Sequence, residues 1–157
     1  VPRLADQRPF FLLDPEQLKD PPRKASSIKG ASRSARTVDI EDLRPVDLVV
    51  AGCVAVGADG ARLGKGGGFS DLEFAVASAA RLIGRRTVVA TTVHELQVLP
   101  PGQIPTTGHD IWVDLIVTPD RIIRTKHRRS ESGAQIRWDE LTEDKVNAIP
   151  LLGRIRP

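Results

Sequence analysis

Apolar positions in this chain gather into runs of two kinds. Val46–Val56 reads V-D-L-V-V-A-G-C-V-A-V and is nearly continuous. Such valine-rich runs mark strands covered on both faces. Thr87–Val93 predicts another buried strand, and Asp114–Thr118 and Arg121–Thr125 predict two more around a tight turn at Pro119-Asp120. Phe10–Leu13 is a shorter run closed by Asp14-Pro15, which reads as a buried strand entering a turn. One segment has a different period. Leu72, Ala75, Val76, Ala79, Leu82 and Ile83 fall on one helical face, with Gly84 as a stop. Ser70-Asp71-Leu72-Glu73 has the S-x-x-E form of a capping box at the helix start. A last short helix is predicted around Glu140–Ala148, before Pro150. Strands alternating with helices predict an α/β domain with a largely parallel sheet. The chain contains no internal repeat.

Length and composition narrow this picture. A chain of 157 residues with 40% hydrophobic content suits a single domain, 1–157, with a real core. The net charge of +3 is too mild to imply nucleic acid. Lys19–Arg36 carries six basic residues, two prolines and four serines. It reads as a solvated irregular connection, or as a loop closing over an anionic ligand. With Cys53 as the single cysteine, no intramolecular disulfide forms and a thiolate zinc site is not expected. No apolar run approaches the ~20 residues of a membrane span, and the start shows no signal peptide, so a cytoplasmic location is expected. The chain begins Val1-Pro2 and contains no methionine, so a natural N-terminal segment is expected upstream.

The densest candidate chemistry lies in Gly60–Asp71, reading G-A-R-L-G-K-G-G-G-F-S-D. Gly64, Gly66, Gly67 and Gly68 surround Lys65, with Arg62 just before and Phe69 just after. Glycines let backbone amides approach a ligand closely, and a loop opening a helix is a cradle for phosphate. Glycine clusters also make plain turns. In open parallel sheets, ligands bind at the carboxyl ends of strands, where this loop must sit. It matches neither the Walker A loop nor the dinucleotide fingerprint. Asp71 either favours the helix dipole or holds Mg²⁺ against phosphates, since magnesium takes one or two carboxylates plus phosphate oxygens and water.

His109-Asp110-Ile111-Trp112-Val113-Asp114 is the second constellation, after the Pro/Gly-rich loop Leu99–Gly108. Asp110 serves either to cap its loop or to meet Asp71 across a metal ion. His94-Glu95, at the carboxyl end of the Thr87–Val93 strand, lines the same crevice or is polar surface. Lys126-His127-Arg128-Arg129 reads as a solvated charge run, Trp138 as an anchor for the final helix, and Cys53 as a packed thiol.

These two segments in order resemble the 5-formyltetrahydrofolate cyclo-ligase family, also called methenyltetrahydrofolate synthetase. The family pattern is Gly-x-Arg-Leu-Gly-x-Gly-x-Gly-Tyr/Phe-Tyr-Asp with a later loop aspartate and a "VD-x-I-x-T" strand. The chain matches it best over Asp47–Asp120, including H-D-I-W-V-D-L-I-V-T-P at His109–Pro119. Ser70 stands where the family has a second aromatic, and Leu72-Glu73 replaces its usual basic residue. With V-H-E-L-Q-V and W-D-E-L-T-E-D-K-V-N-A-I-P, these departures bring the chain closest to the divergent methenyltetrahydrofolate synthetase domain-containing branch. The family's N-terminal Lys/Arg segment has no counterpart here.

The resemblance implies a three-layer α/β/α fold. It also implies ATP-dependent cyclisation of a folate substrate, 5-formyltetrahydrofolate, to 5,10-methenyltetrahydrofolate, releasing ADP and phosphate. ATP phosphorylates the formyl oxygen, N10 attacks the activated carbon, and phosphate leaves. By this likeness Arg62, Gly64, Lys65, Gly66, Gly67, Gly68 and Phe69 hold the nucleotide phosphates, and Asp71 and Asp110 are magnesium ligands. Two other readings stand beside it. One is a non-catalytic nucleotide- or folate-binding module, favoured by Ser70, Leu72 and the missing N-terminal segment. The other is an RNA-associated protein resting on the basic stretches Lys19–Arg36 and Lys126–Arg129, which lack interleaved aromatics.

Overall fold

The computed structural model describes residues 4–108, 110–127 and 135–157. His109 and Arg128–Arg129, named above, lie outside the described residues. The chain divides into two compact units, Arg44–Arg137 and a second made of Val1–Leu43 with Trp138–Pro157.

The second unit opens with strand β1 (Phe10–Leu12), which pairs antiparallel with β2 (Arg36–Val38). Between them Lys19–Arg36 is ordered as two short helices, α1 (Pro22–Ala25) and α2 (Ile28–Ser34), where an irregular connection was expected. The cause is local. Ser27 caps α2 by accepting from the Gly30 amide at 3.0 Å, and Asp20 accepts from Arg33 and Ser34 and pairs with Lys24. Three cationic or polar groups of the basic stretch are thus tied to one carboxylate.

In the unit Arg44–Arg137, a four-stranded sheet runs in the order β3 (Leu48–Val50), β6 (Val88–Thr92), β8 (Leu115–Val117), β9 (Ile122–Arg124). The first three strands are parallel and β9 is antiparallel. A three-stranded sheet places β4 (Ala55–Gly57) between antiparallel β5 (Arg62–Leu63) and parallel β7 (Val98–Leu99). The α/β character expected from the pattern holds, and the pairing is mixed.

Val46–Val56 is therefore two strands in two sheets. Leu48 and Val50 are 55% and 61% exposed, so β3, which lies at the edge of its sheet, is not covered on both faces. The β8–β9 turn forms as expected, with the Thr118 hydroxyl accepting from the amides of Asp120 and Arg121. Helix α3 (Phe69–Ala79) buries Leu72, Phe74, Ala75 and Val76. Phe74 joins Val56, Val89, Val113 and Ile116 in the core, and the last four are fully buried. Each such side chain contributes roughly 1.5–3 kcal/mol on leaving water.

Returning to the second unit, the expected last helix is two helices, α4 (Glu143–Asn147) and α5 (Pro150–Ile155). Pro150 ends nothing; it occupies the first turn of α5, where a missing amide costs no hydrogen bond. Trp138 starts a 3-10 turn and is half-buried. No helix among the described residues is long and apolar enough to cross a membrane.

Candidate functional site

The glycine loop joins β5 to α3. Gly66 and Gly68 adopt left-handed backbones, with φ of 85° and 63°. Gly68 is the residue that caps α3, and it has no side chain with which to accept from the helix's first amides. The Ser70–Glu73 capping box is not formed, because the helix starts at Phe69 and both residues already lie inside it. A glycine loop that opens a helix is the arrangement that favours an anion. Lys65 is exposed beside it and makes no ion pair among the described residues. Phe69 is 54% exposed.

Beneath the loop lies an ion pair. Arg62 Nη2 donates to Asp71 Oδ1 at 2.7 Å, with the two side chains 2% and 20% exposed. Arg62 Nη1 donates to the Gly52 carbonyl at 3.0 Å, and its Nε is buried without a partner. Gly64 sits over this guanidinium: a Cβ there would lie 3.4 Å from Nη1.

Asp71 Oδ1 also accepts from the Ile111 amide at 3.1 Å. That bond brings the loop of Asp110 to the start of α3, so the two aspartates reach one loop cluster. The Asp110 carboxylate accepts from the Thr107 amide at 2.6 Å. Asp71 Oδ2 carries no hydrogen bond among the described residues. No group of three or more His, Cys, Asp or Glu side chains able to hold a metal occurs among the described residues. A magnesium ion held mainly by phosphate oxygens and water needs only one or two carboxylates, so this donor set fits it.

The other sequence candidates have structural partners. Asp114 Oδ2 accepts from the Val89 amide at 2.7 Å, extending the β6–β8 ladder. His94 and Gln97 form a reciprocal cap on a 3-10 turn. Glu95 accepts two bonds from Arg121 and one from Thr118, and the Arg121 guanidinium beside it holds its carboxyl below the usual range. Cys53 is half-buried with Sγ 3.2 Å from the Thr91 hydroxyl. Two features gave no signal in the sequence. Trp112 and His127 stack with ring centroids 4.1 Å apart. Burial pushes the half-buried Glu73 carboxyl up to about 6.

The model of the 5-formyltetrahydrofolate cyclo-ligase family matches residues 7–119. The chain belongs to this family. It is 36% identical over 140 residues to a methenyltetrahydrofolate synthase domain-containing protein of Danio rerio, covering 88% of this chain and 36% of that protein. A 5-formyltetrahydrofolate cyclo-ligase, mitochondrial, of Arabidopsis thaliana is 31% identical over 67% of this chain and 40% of its own length. The chain thus spans well under half the length of these curated relatives. The NMR structure of Aquifex aeolicus 5,10-methenyltetrahydrofolate synthetase is 26% identical with a TM-score of 0.42, covering 62% of this chain and 46% of that one. The family match includes the glycine loop, Asp71 and Asp110, so the cluster built above lies wholly within it.

Proposed function

We propose that this chain carries a nucleotide-using cyclo-ligase site that closes 5-formyltetrahydrofolate to 5,10-methenyltetrahydrofolate with ATP and magnesium. The observation that carries this reading is the left-handed glycine loop that opens α3, with Asp71 in the first turn of the helix. The bound nucleotide supplies a phosphoryl group that turns the formyl oxygen into a leaving group. Phosphoryl transfer asks a protein mainly for positioning and charge neutralisation.

The residues divide that work. The backbone of Gly64–Phe69 and the Lys65 ammonium hold phosphate oxygens. Asp71 and Asp110 would hold the magnesium ion, which would neutralise phosphate charge. Gly66 and Gly68 keep the loop backbone open to a close approach.

A second reading, a binding module without turnover, is favoured by Leu72. This residue occupies a position that is basic in the family pattern, and it is 7% exposed within the packed face of α3. No cation stands there to meet the substrate. Titration calorimetry with Mg-ATP, with and without 5-formyltetrahydrofolate, tests the shared part of both readings. Saturable ATP binding that is lost in Lys65→Ala and Asp71→Ala supports them. Absence of nucleotide binding in the unaltered protein refutes both.

A further inference from the structure

The β8–β9 hairpin continues past its last ladder pair. Leu115 faces Arg124, Ile116 faces Ile123 and Val117 faces Ile122, and the same register carried three residues further sets Trp112 opposite His127. The contacts follow that register. The Thr125 amide donates to the Asp114 carbonyl at 3.0 Å, and the Thr125 hydroxyl donates to the Val113 carbonyl at 2.6 Å. Beyond them the Trp112 and His127 rings stack, 4.1 Å apart and 11° from parallel. Facing rings on paired chains stabilise such an extension through their side chains.

This extension ends at the candidate site. Ile111 and Val113 are 3% and 0% exposed, and both side chains belong to the core. Trp112 between them is half-buried, lies outside that core cluster, and meets the chain that leaves β9. One residue before Trp112, the Ile111 amide donates to Asp71 Oδ1 at 3.1 Å. Asp110 comes next, and its carboxylate accepts from the Thr107 amide within its own loop. The direction of the Ile111 amide depends on how the backbone is held on both sides of it. The Ile111 side chain anchors one side, and the stacked indole anchors the other.

We infer that Trp112 and His127 are positioning residues: their stack fixes the backbone at 110–112 so that the Ile111 amide meets Asp71 and Asp110 stays beside it. The consequence for magnesium rests on the nucleotide reading above, since Asp71 and Asp110 are the carboxylates assigned to that ion. Losing either ring loosens the Asp110 loop and leaves the glycine loop intact. Because the rings act as a pair, the second loss adds little to the first.

The test measures hydrogen exchange of single backbone amides by NMR without ligand, then the magnesium dependence of ATP binding. Both are applied to the unaltered chain, His127→Ala, His127→Phe, Trp112→Leu and the double variant Trp112→Leu/His127→Ala. In His127→Ala the Ile111 amide is expected to exchange about threefold to tenfold faster, the range an aromatic pair supplies. The Val89 amide, which donates to Asp114, should keep its rate. His127→Phe, which preserves the stack, should restore the Ile111 rate, and the double variant should match His127→Ala. The magnesium concentration for half-maximal ATP binding should rise by a similar factor in His127→Ala, with affinity in EDTA within about twofold. An unchanged Ile111 rate in His127→Ala would overturn the inference. Equal acceleration at Ile111 and Val89 would also overturn it, because it marks general destabilisation, and so would failure of His127→Phe to restore the rate. If His127→Ala does not fold, Trp112→Leu decides by the same exchange criterion. If the unaltered chain binds no ATP, the nucleotide reading falls, and the exchange rates still decide whether the stack positions the loop.

Discussion

Arg62 and Asp71 form a 2.7 Å ion pair at the junction of β5 and α3, with the arginine side chain all but excluded from solvent. Removing one partner of a buried pair strands the other. Asp71→Ala leaves Arg62 with the Gly52 carbonyl alone and is expected to destabilise the chain by about 3 kcal/mol. Asp71→Asn keeps an acceptor for both Arg62 and the Ile111 amide, and its expected cost is about 1 kcal/mol. Urea denaturation of the two variants measures the difference. Equal midpoints would show that the pair does not stabilise the loop.

Two glycines distinguish conformational strain from collision. Gly60 has φ of 103°, and a Cβ there would stand 2.6 Å from the Val113 carbonyl oxygen. Gly60→Ala is expected to cost at least about 3 kcal/mol, because backbone on both sides must shift. Gly66 has φ of 85° with nothing within 4 Å of the added methyl. Gly66→Ala should cost only about 1 kcal/mol of stability, the usual penalty for a left-handed alanine, yet weaken ATP binding. Thermal unfolding and nucleotide titration of both variants check the contrast.

Acid should unlock the contact between α5 and the segment after β2. The Arg154 guanidinium holds the Asp39 carboxyl down to about 2, below its ordinary 3.8. A lowered carboxyl pKa contributes stability that is complete above about pH 4 and disappears as pH falls towards 2. Both side chains are partly exposed, 20% for Asp39 and 44% for Arg154, so screening limits the contribution to about 1 kcal/mol. Asp39→Asn should be less stable than the unaltered chain at pH 6 and indistinguishable from it at about pH 2, as read by unfolding curves across that range.

Glu73 predicts the opposite slope. Burial raises its carboxyl from 4.5 to about 6, so the folded state resists ionising it. Stability from this group is highest below about pH 4.5 and falls as pH rises to 6. Glu73→Gln removes that slope and should stabilise the chain above pH 6 by about 1 kcal/mol, a figure reduced for its partial exposure. Unfolding measurements at pH 4 and pH 7 provide the comparison.

Much of this was legible in the residue pattern, and the misses have physical causes. Helix α3 showed in its apolar spacing, whereas its ends did not: it stops at Ala79, short of Leu82, Ile83 and Gly84. Ser70–Glu73 looks like a capping box, but the left-handed Gly68 begins the helix two residues earlier. Val46–Val56 read as one strand because apolar periodicity cannot mark where a chain leaves one sheet for another. The helices within Lys19–Arg36 lack an apolar face, and their order comes from the Ser27 cap and from Asp20. At the site, Arg62, Asp71 and Asp110 were all named from spacing. Their bonding was not, since two of the partners, the Gly52 carbonyl and the Ile111 amide, are backbone groups that no side-chain motif announces.

Turnover separates the proposed cyclo-ligase chemistry of this loop from nucleotide binding alone. The most direct measurement is absorbance detection of the methenyl product after mixing the chain with 5-formyltetrahydrofolate, ATP and magnesium. Product formation that requires ATP and is lost in Asp71→Ala is expected. ATP bound with no methenyl product at any substrate concentration would contradict it and leave the binding module as the function of the site.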